Sequence, residues 1–327
     1  MTALACAALA AVAAAVPAQR PEWYRSVASV HWVVKDLEAV KQAWARLGFP
    51  AVADFGEVDL PVKHRGELAP SRMRVAVAIL DGVQVYWLQP LDASGAYAEF
   101  LKRNGEGIFS LNHHAPSRAA LDQEVDRLHG LGVGILQSTD VDTDAGPLRI
   151  VHMDTAAEGK WVLGLVHGQA PAPTTGPAPP FPARLAQFAF VARDLAAAST
   201  FWTRLGLPAI DVTRSAIRDR EYRGRPGSFD QELGWQRHGA VALEWIRSLA
   251  GPTVYEDFLA AHGEGLHHVA FDVEDFDAAV AAWKAAGFAV TQSGAWGEAG
   301  KPGSGRFAYI DAERAGGVAV ELLWSRK

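Results

Sequence analysis

The chain has 327 residues, enough for two domains of ordinary size, each able to bury its own core. Its net charge of -6 comes without any basic run, which excludes a nucleic-acid surface and leaves a small soluble molecule as the expected partner. Its single cysteine, Cys6, excludes any disulfide within the chain and any site built from several thiolates.

The first residues, MTALACAALAAVAAAVPAQ, form an apolar, alanine-rich run ending in Val16-Pro17-Ala18. This pattern suits a signal peptide with a small-residue cleavage site, although no Lys or Arg stands near its start. It is too short and too weakly hydrophobic to span a membrane. Residues 1–18 are therefore expected to be a signal peptide and the mature protein to be periplasmic or secreted, with a cytoplasmic location as the alternative. The mature chain would then hold no cysteine.

A strand-like run from Ser29 leads to Asp36, placed to cap an amphipathic helix in which Leu37, Val40, Trp44 and Leu47 share one face and Gly48 ends the turn. Strand-like segments follow, among them 82–87 (GVQVYW), and the pattern restarts after the turn Gly105-Glu106-Gly107. The same text then recurs. Residues 34–48 (VKDLEAVKQAWARLG) match 192–206 (ARDLAAASTFWTRLG), and 97–107 (YAEFLKRNGEG) match 255–265 (YEDFLAAHGEG). Both pairs lie at one separation, 158 residues, as Asp194 does from Asp36 and Tyr255 from Tyr97. The chain is a tandem duplication. Between the copies, residues 169–182 (QAPAPTTGPAPPFP) can neither form a helix nor pack a core and read as a semi-extended linker. The expected domains are 20–168 and 183–327. Each divides again, which predicts an α+β fold of four βαβββ modules.

The two copies differ where chemistry is expected. On the opening and closing strands of its modules the second copy carries Gln187, Glu244, His268 and Glu321, while the first carries Ser29, Tyr86, Ser110 and Gly164. A glutamate inside VAVELL (318–323) or next to Leu243 and Trp245 is costly to bury unless a cation or donors replace its hydration. Two carboxylates in one concavity repel, and a divalent cation removes that conflict. The set suits one divalent ion such as Zn, Ni, Co, Mn or Fe(II). The plain alternative, glutamates on the wet face of an antiparallel sheet, explains one of them but not the loss of the whole set from the sister copy.

Other residues fall around this set. Asp230 and Glu232 share strand parity: either they face the cavity of Glu244, where one would serve as a general base and Glu232 as a substrate contact, or they lie on a solvated strand face, the plainer reading; Trp235, Trp245, Trp296 and Tyr309 would line an aromatic cavity. His267 follows strand alternation to a supporting position or the outer face. His113 and His114 fall outside the ligand position if the Gly-Glu-Gly turn sets the alignment, whereas alignment from the helix end at Gly132 puts His113 in it. The glycine-rich stretch 294–305 lacks the strand-to-helix setting of a phosphate loop and reads as a flap.

The modular repeat, GEGLHHVAFDV (263–273) and VAVELLW (318–324) resemble the vicinal oxygen chelate superfamily, which includes glyoxalase I, methylmalonyl-CoA epimerase, extradiol dioxygenases and fosfomycin-resistance proteins. The resemblance covers nearly all of residues 24–327. It implies metal ligation by Gln187, Glu244, His268 and Glu321 in the second domain and a metal-free first domain. The ligand order is similar to that of mammalian-type glyoxalase I, and EYRG (221–224) and GRFAYID (305–311) look more like methylmalonyl-CoA epimerases. The activity so implied is a metal-dependent glyoxalase-type lyase or epimerase acting on a small α-carbonyl substrate through an enolate, with Glu321 or Glu244 as base and Glu232, Trp235 and Tyr309 near the substrate. An Fe(II)-dependent extradiol or keto-acid dioxygenase is the alternative, against which stands Gln187 in place of a second histidine. A non-catalytic ligand-binding protein is the other. The partner is a small molecule, with no nucleic acid and no membrane span; a homodimer is compatible with the repeat.

Overall fold

A computed structural model of the chain describes residues 20–46, 52–168, 183–214, 216–237 and 239–327. The alanine-rich start with Cys6, the helix end at Gly48 and the linker 169–182 lie outside the described residues.

Asp36, expected to cap its helix, does so, and aspartates or a serine take the same place in the other modules. Asp36 Oδ1 accepts from the Ala39 amide at 3.0 Å, Asp194 from Ala197 at 2.9 Å and Asp275 from Ala278 at 2.9 Å, and Ser117 does the same for Ala120 at 3.1 Å. Each satisfies one amide that the first helical turn leaves without a partner, a contribution of about 1 kcal/mol. The helices so started, Leu37–Arg46, Arg118–Gly130, Leu195–Arg204 and Phe276–Ala285, give one long helix per module. In the first, Leu37, Val40, Ala43 and Trp44 are the buried stripe.

Two ten-stranded sheets carry the fold, one from each half of the chain, with the same strand order. In the first, Ser29–Val33 and Gly107–His114 pair antiparallel at the centre, and each is flanked by the remaining strands of its own module. In the second, Ala183–Val191 and Gly265–Val273 take those places. A short strand from each first module, Val62–His64 or Ile217–Tyr222, crosses to the far edge and pairs with a strand of the second module. Both modules of a sheet thus come from one half of one chain. The expected α+β, four-module duplication is the observed architecture.

The halves also share a core. Trp32 Nε1 donates to the Gly316 carbonyl at 2.6 Å, Trp44 Nε1 to Ala315 at 2.9 Å and Trp202 Nε1 to Gly159 at 3.0 Å. Trp161 of the first half stacks on Trp202 of the second with centroids 4.4 Å apart. The two equivalent Gly-Glu-Gly turns meet as well, Asn104 Nδ2 donating to the His262 carbonyl at 3.1 Å and His262 Nδ1 to the Asn104 carbonyl at 2.6 Å. Among the described residues no helix is long and apolar enough to cross a membrane.

Candidate metal centre

Strand register assembles the site. In the second sheet Ala189 is paired with Glu244 on one side and His268 on the other. One row along, Ala270 is paired with Gln187 and with Glu321, and Glu321 with Tyr309. Residues facing each other across a ladder share a sheet face, so the polar side chains all project from one face. They converge over Ala189 and Ala270, whose methyl groups leave the space above them open.

All four are buried, with exposures of 4% for Gln187, 5% for Glu244, 0% for His268 and 4% for Glu321. Gln187 Nε2 donates to Glu244 Oε2 at 2.8 Å and to Glu321 Oε2 at 3.0 Å. His268 Nε2 lies 3.1 Å from Glu321 Oε2 and 3.4 Å from Glu244 Oε2 but has no hydrogen-bond partner. One donor atom from each of Glu244, His268 and Glu321 falls within 4.8 Å of the others, the only such trio of His, Cys or acidic groups among the described residues. The donors therefore fit a divalent cation: two carboxylates and one imidazole nitrogen, beside an amide that presents Nε2 to the carboxylates here and would offer its oxygen as a neutral fourth donor once turned over.

The protonation of the cation-free cluster shows the same strain. Burial pushes the Glu244 carboxyl up to about 7, with the charge of Glu321 adding to it. Burial pulls His268 down, but the charge of Glu321 and the contacts with both carboxylates outweigh it and hold the imidazole up at about 9. A proton on His268 stands in for the cation. His267, 2.8 Å away between the Nδ1 atoms, is kept neutral by burial. When His268 Nδ1–H donates to it, the Nε2 lone pair faces the carboxylates, the tautomer a metal requires. Strand alternation does not carry His267 to the outer face, because the register slips between Ala189 and Phe190 and His267 is the extra residue of a bulge.

The cluster forms the floor of a cavity of about 440 Å³ whose walls include Leu233, Trp235, Trp296, Phe307 and Tyr309. Tyr309 accepts from Tyr255 Oη at 2.9 Å, and its ring lies 4.9 Å from that of His268. Arg237 at the mouth lies over the Trp235 ring at 4.4 Å. Two expectations need correction. Trp235 faces Glu244 across the ladder, so Gln231, Leu233 and Trp235 take the cavity side; Glu232 lies on the other face, paired with Arg247 at 3.2 Å, and Asp230 pairs with Arg214. Trp245, next to Glu244 on its strand, points into the core and donates to Gln236 Oε1. Trp296 ends the strand Val290–Trp296, which takes in the first part of the glycine-rich stretch.

A larger cavity, about 560 Å³, lies between the halves around the Gly-Glu-Gly turns. Among its charges, Arg65 pairs with Glu99 at 2.8 Å and Lys160 with Glu264 at 3.0 Å.

In the first half the corresponding positions are closed. Ser29, Asn112 and Gly164 form the row that matches Gln187, Ala270 and Glu321. Asn112 Nδ2 donates to Ser29 Oγ at 3.2 Å and Asn112 Oδ1 accepts from Ser110 Oγ at 2.9 Å. That amide oxygen lies 1.7 Å from where a Cβ on Gly164 would stand, so the asparagine occupies the space a closing-strand glutamate needs. His113 Nδ1 donates to the Ser26 carbonyl and His114 Nε2 to Gly168, outside this row, as the Gly-Glu-Gly alignment predicts.

The comparisons agree with this geometry. Residues 186–309 match the Glyoxalase/Bleomycin resistance protein/Dioxygenase superfamily. No curated protein sequence matches the chain. Among solved structures, a triple mutant of 4-hydroxymandelate synthase from Streptomyces coelicolor is similar at a TM-score of 0.61 and 16% identity, over 92% of this chain and 93% of that one. A xylose isomerase-like TIM barrel/4-hydroxyphenylpyruvate dioxygenase fusion protein is similar at 0.54 and 14%, over 92% of this chain and 49% of that one. A Mn(II)-bound glyoxalase from Novosphingobium aromaticivorans is similar at 0.49 and 15%, over 92% and 82%. At these identities the structures speak for the fold, two tandem α+β domains, and the sequence match to the glyoxalase/bleomycin resistance protein/dioxygenase superfamily is confined to residues 186–309 of the second half.

Proposed function

We propose that the protein is an enzyme that holds one divalent metal ion in its C-terminal half, on Glu244, His268 and Glu321 with Gln187 as the fourth donor. The observation that carries this reading is the convergence of three ionisable donors, all buried, within 4.8 Å. A bound cation would supply Lewis-acid polarisation of a substrate oxygen. The chain's own residues do the rest. Glu321 and Glu244 face the cavity and either can take a proton from the carbon beside a carbonyl, while Trp235, Trp296 and Phe307 exclude water from the substrate's body. Arg237 has no carboxylate partner among the described residues and suits an anionic group at the cavity mouth.

Within this class the donor set supports redox-silent proton transfer, of the glyoxalase or epimerase kind, since a neutral amide stands where an oxygen-activating iron site has a second imidazole. The comparisons by themselves favour the other reading. The two structures aligned over most of this chain with the higher TM-scores are named for 4-hydroxymandelate synthase and 4-hydroxyphenylpyruvate dioxygenase, and like the two-domain dioxygenases this chain keeps the donor set found among its described residues in one half only. We give precedence to the donor chemistry, because fold is shared across many reactions and the ligands are not. Hydrogen–deuterium exchange at the α-carbon of small α-carbonyl acids is the discriminating assay. It should proceed without oxygen and with Zn or Mn in place of iron; oxygen consumption stoichiometric with product and an absolute need for Fe(II) would establish the dioxygenase instead.

Export belongs to the same proposal, since glutathione and CoA conjugates are cytosolic and an exported enzyme would act on smaller acids. The N-terminus of protein from its native host should begin near Gln19 or Arg20. An intact Met1 on a cytoplasmic protein would restore the conjugates as substrates.

A further inference from the structure

The first half lacks the divalent donor set, yet its sheet carries nitrogen donors on the same face, one step away. His31 stands in the place of Ala189, between Tyr86 and Ser110 in the ladder. His152 is paired with Gly164 as Tyr309 is with Glu321. His31 thus fills a position that is alanine in the other half, and the rings of His31 and His152 come to 5.1 Å between centroids.

Both imidazoles are buried, 3% exposed for His31 and 1% for His152. Neither nitrogen of His152 has a hydrogen-bond partner among the described residues. A neutral imidazole normally engages both its donor and its acceptor when buried, so this ring lacks two interactions in a place where they are costly to lose. His31 uses Nδ1 on Tyr97 Oη at 2.8 Å, so that Nε2 is the nitrogen it has to offer a ligand. One nitrogen fixed by a neighbour and the other free is the arrangement of a metal-binding histidine. The surroundings are aromatic and uncharged: Tyr86, Tyr97 and Phe109 pack on the two rings.

We propose that His31 and His152 form a second metal site, in the N-terminal half, that takes a soft monovalent ion, copper(I), rather than a divalent one. Charge decides between the two. Glu244 and Glu321 compensate a dication in the C-terminal half, whereas two neutral imidazoles among aromatic rings offer nothing to offset a second positive charge. Imidazole is a copper ligand, and the monovalent ion carries the smallest charge into that setting. Burial holds both imidazoles in the neutral form that ligation requires, with His31 pulled down to about 3. The proposal is independent of the reading of the C-terminal site.

The test uses the full chain with Cys6→Ser, to remove a competing thiol, and with the C-terminal site loaded with Zn. Under anaerobic conditions, titration against a chromogenic copper(I) chelator should show one equivalent withdrawn by the protein. His31→Phe and His152→Phe should each abolish this while leaving the Zn content unchanged, and Tyr97→Phe should weaken it about tenfold by releasing His31. A second measurement needs no variant in the pair: addition of Ag(I) to the Cys6→Ser protein should shift the imidazole nitrogen resonances of two histidines and no others. Failure to compete with the chelator, or copper(I) binding that survives both histidine variants, would overturn the proposal. So would unmoved imidazole resonances, which would mean that buried water alone satisfies His152.

Discussion

At the scale of single residues, the cluster of Glu244, His268 and Glu321 makes a definite statement about pH. Without a cation, Glu244 is raised from its usual 4.5 to about 7 and His268 from 6.5 to about 9, so the folded protein binds more protons than the unfolded chain between these limits. Stability gained this way is complete at low pH and is lost as pH rises through the folded values. The metal-free protein should therefore melt at lower temperature as pH goes from 6 to 9, whereas the Zn-loaded protein should not, because the metal replaces the protons. Thermal melts with and without chelator check this, and a chelated protein whose melting point rises over that range would contradict it. Zn binding at pH 7 should also release about one to two protons, read from the buffer dependence of the binding enthalpy. The donors themselves were legible in the sequence, since an acidic residue inside an apolar strand is conspicuous and its loss from the sister copy more so. Glu232 and Trp245 were misplaced although strand alternation alone sets Trp245 on the opposite face from Glu244 and Glu232 on the opposite face from Trp235; parity sorts residues into two faces without saying which of them meets the cavity. His31 and His152 carried no signal, standing where the partner copy has alanine and tyrosine.

At the scale of elements, what opens the site is as important as what lines it. Ala189 and Ala270 keep the sheet surface low between the donors, while His31 and Asn112 raise it in the sister sheet. Ala270→Asn should then reproduce the first half's plug, placing an amide against Glu321 and reducing Zn affinity about 100-fold although all four donors remain. The overpacking should cost about 1–3 kcal/mol, so the variant folds and the comparison can be made by titration at room temperature. Unchanged affinity would show that small residues at this position do not control the site. The helices and their caps were readable because Asp followed by a 3.6-residue apolar period has a local cause. The crossing of Val62–His64 and Ile217–Tyr222 to the far sheet edge was not, as it depends on pairing between segments far apart in sequence.

At the scale of the whole molecule, the duplication was legible and the union of its halves was not. A repeat predicts two cores, yet indole groups from each half donate to carbonyls of the other, and Trp161 stacks between Phe190 and the second half's Trp202. Trp32→Phe removes a buried 2.6 Å hydrogen bond and leaves the Gly316 carbonyl without it, a loss of about 1–3 kcal/mol that should lower one cooperative calorimetric transition rather than split it. Two transitions, with only the first moving, would mean that the halves fold apart. The C-terminal half alone, on the proposed reading, holds a divalent ion. Equilibrium titration of the chelated full-length protein with Zn, with metal quantified by mass spectrometry, tests it directly: one equivalent per chain is predicted, and none in His268→Ala. Two equivalents, no binding, or binding unchanged in that variant would contradict it.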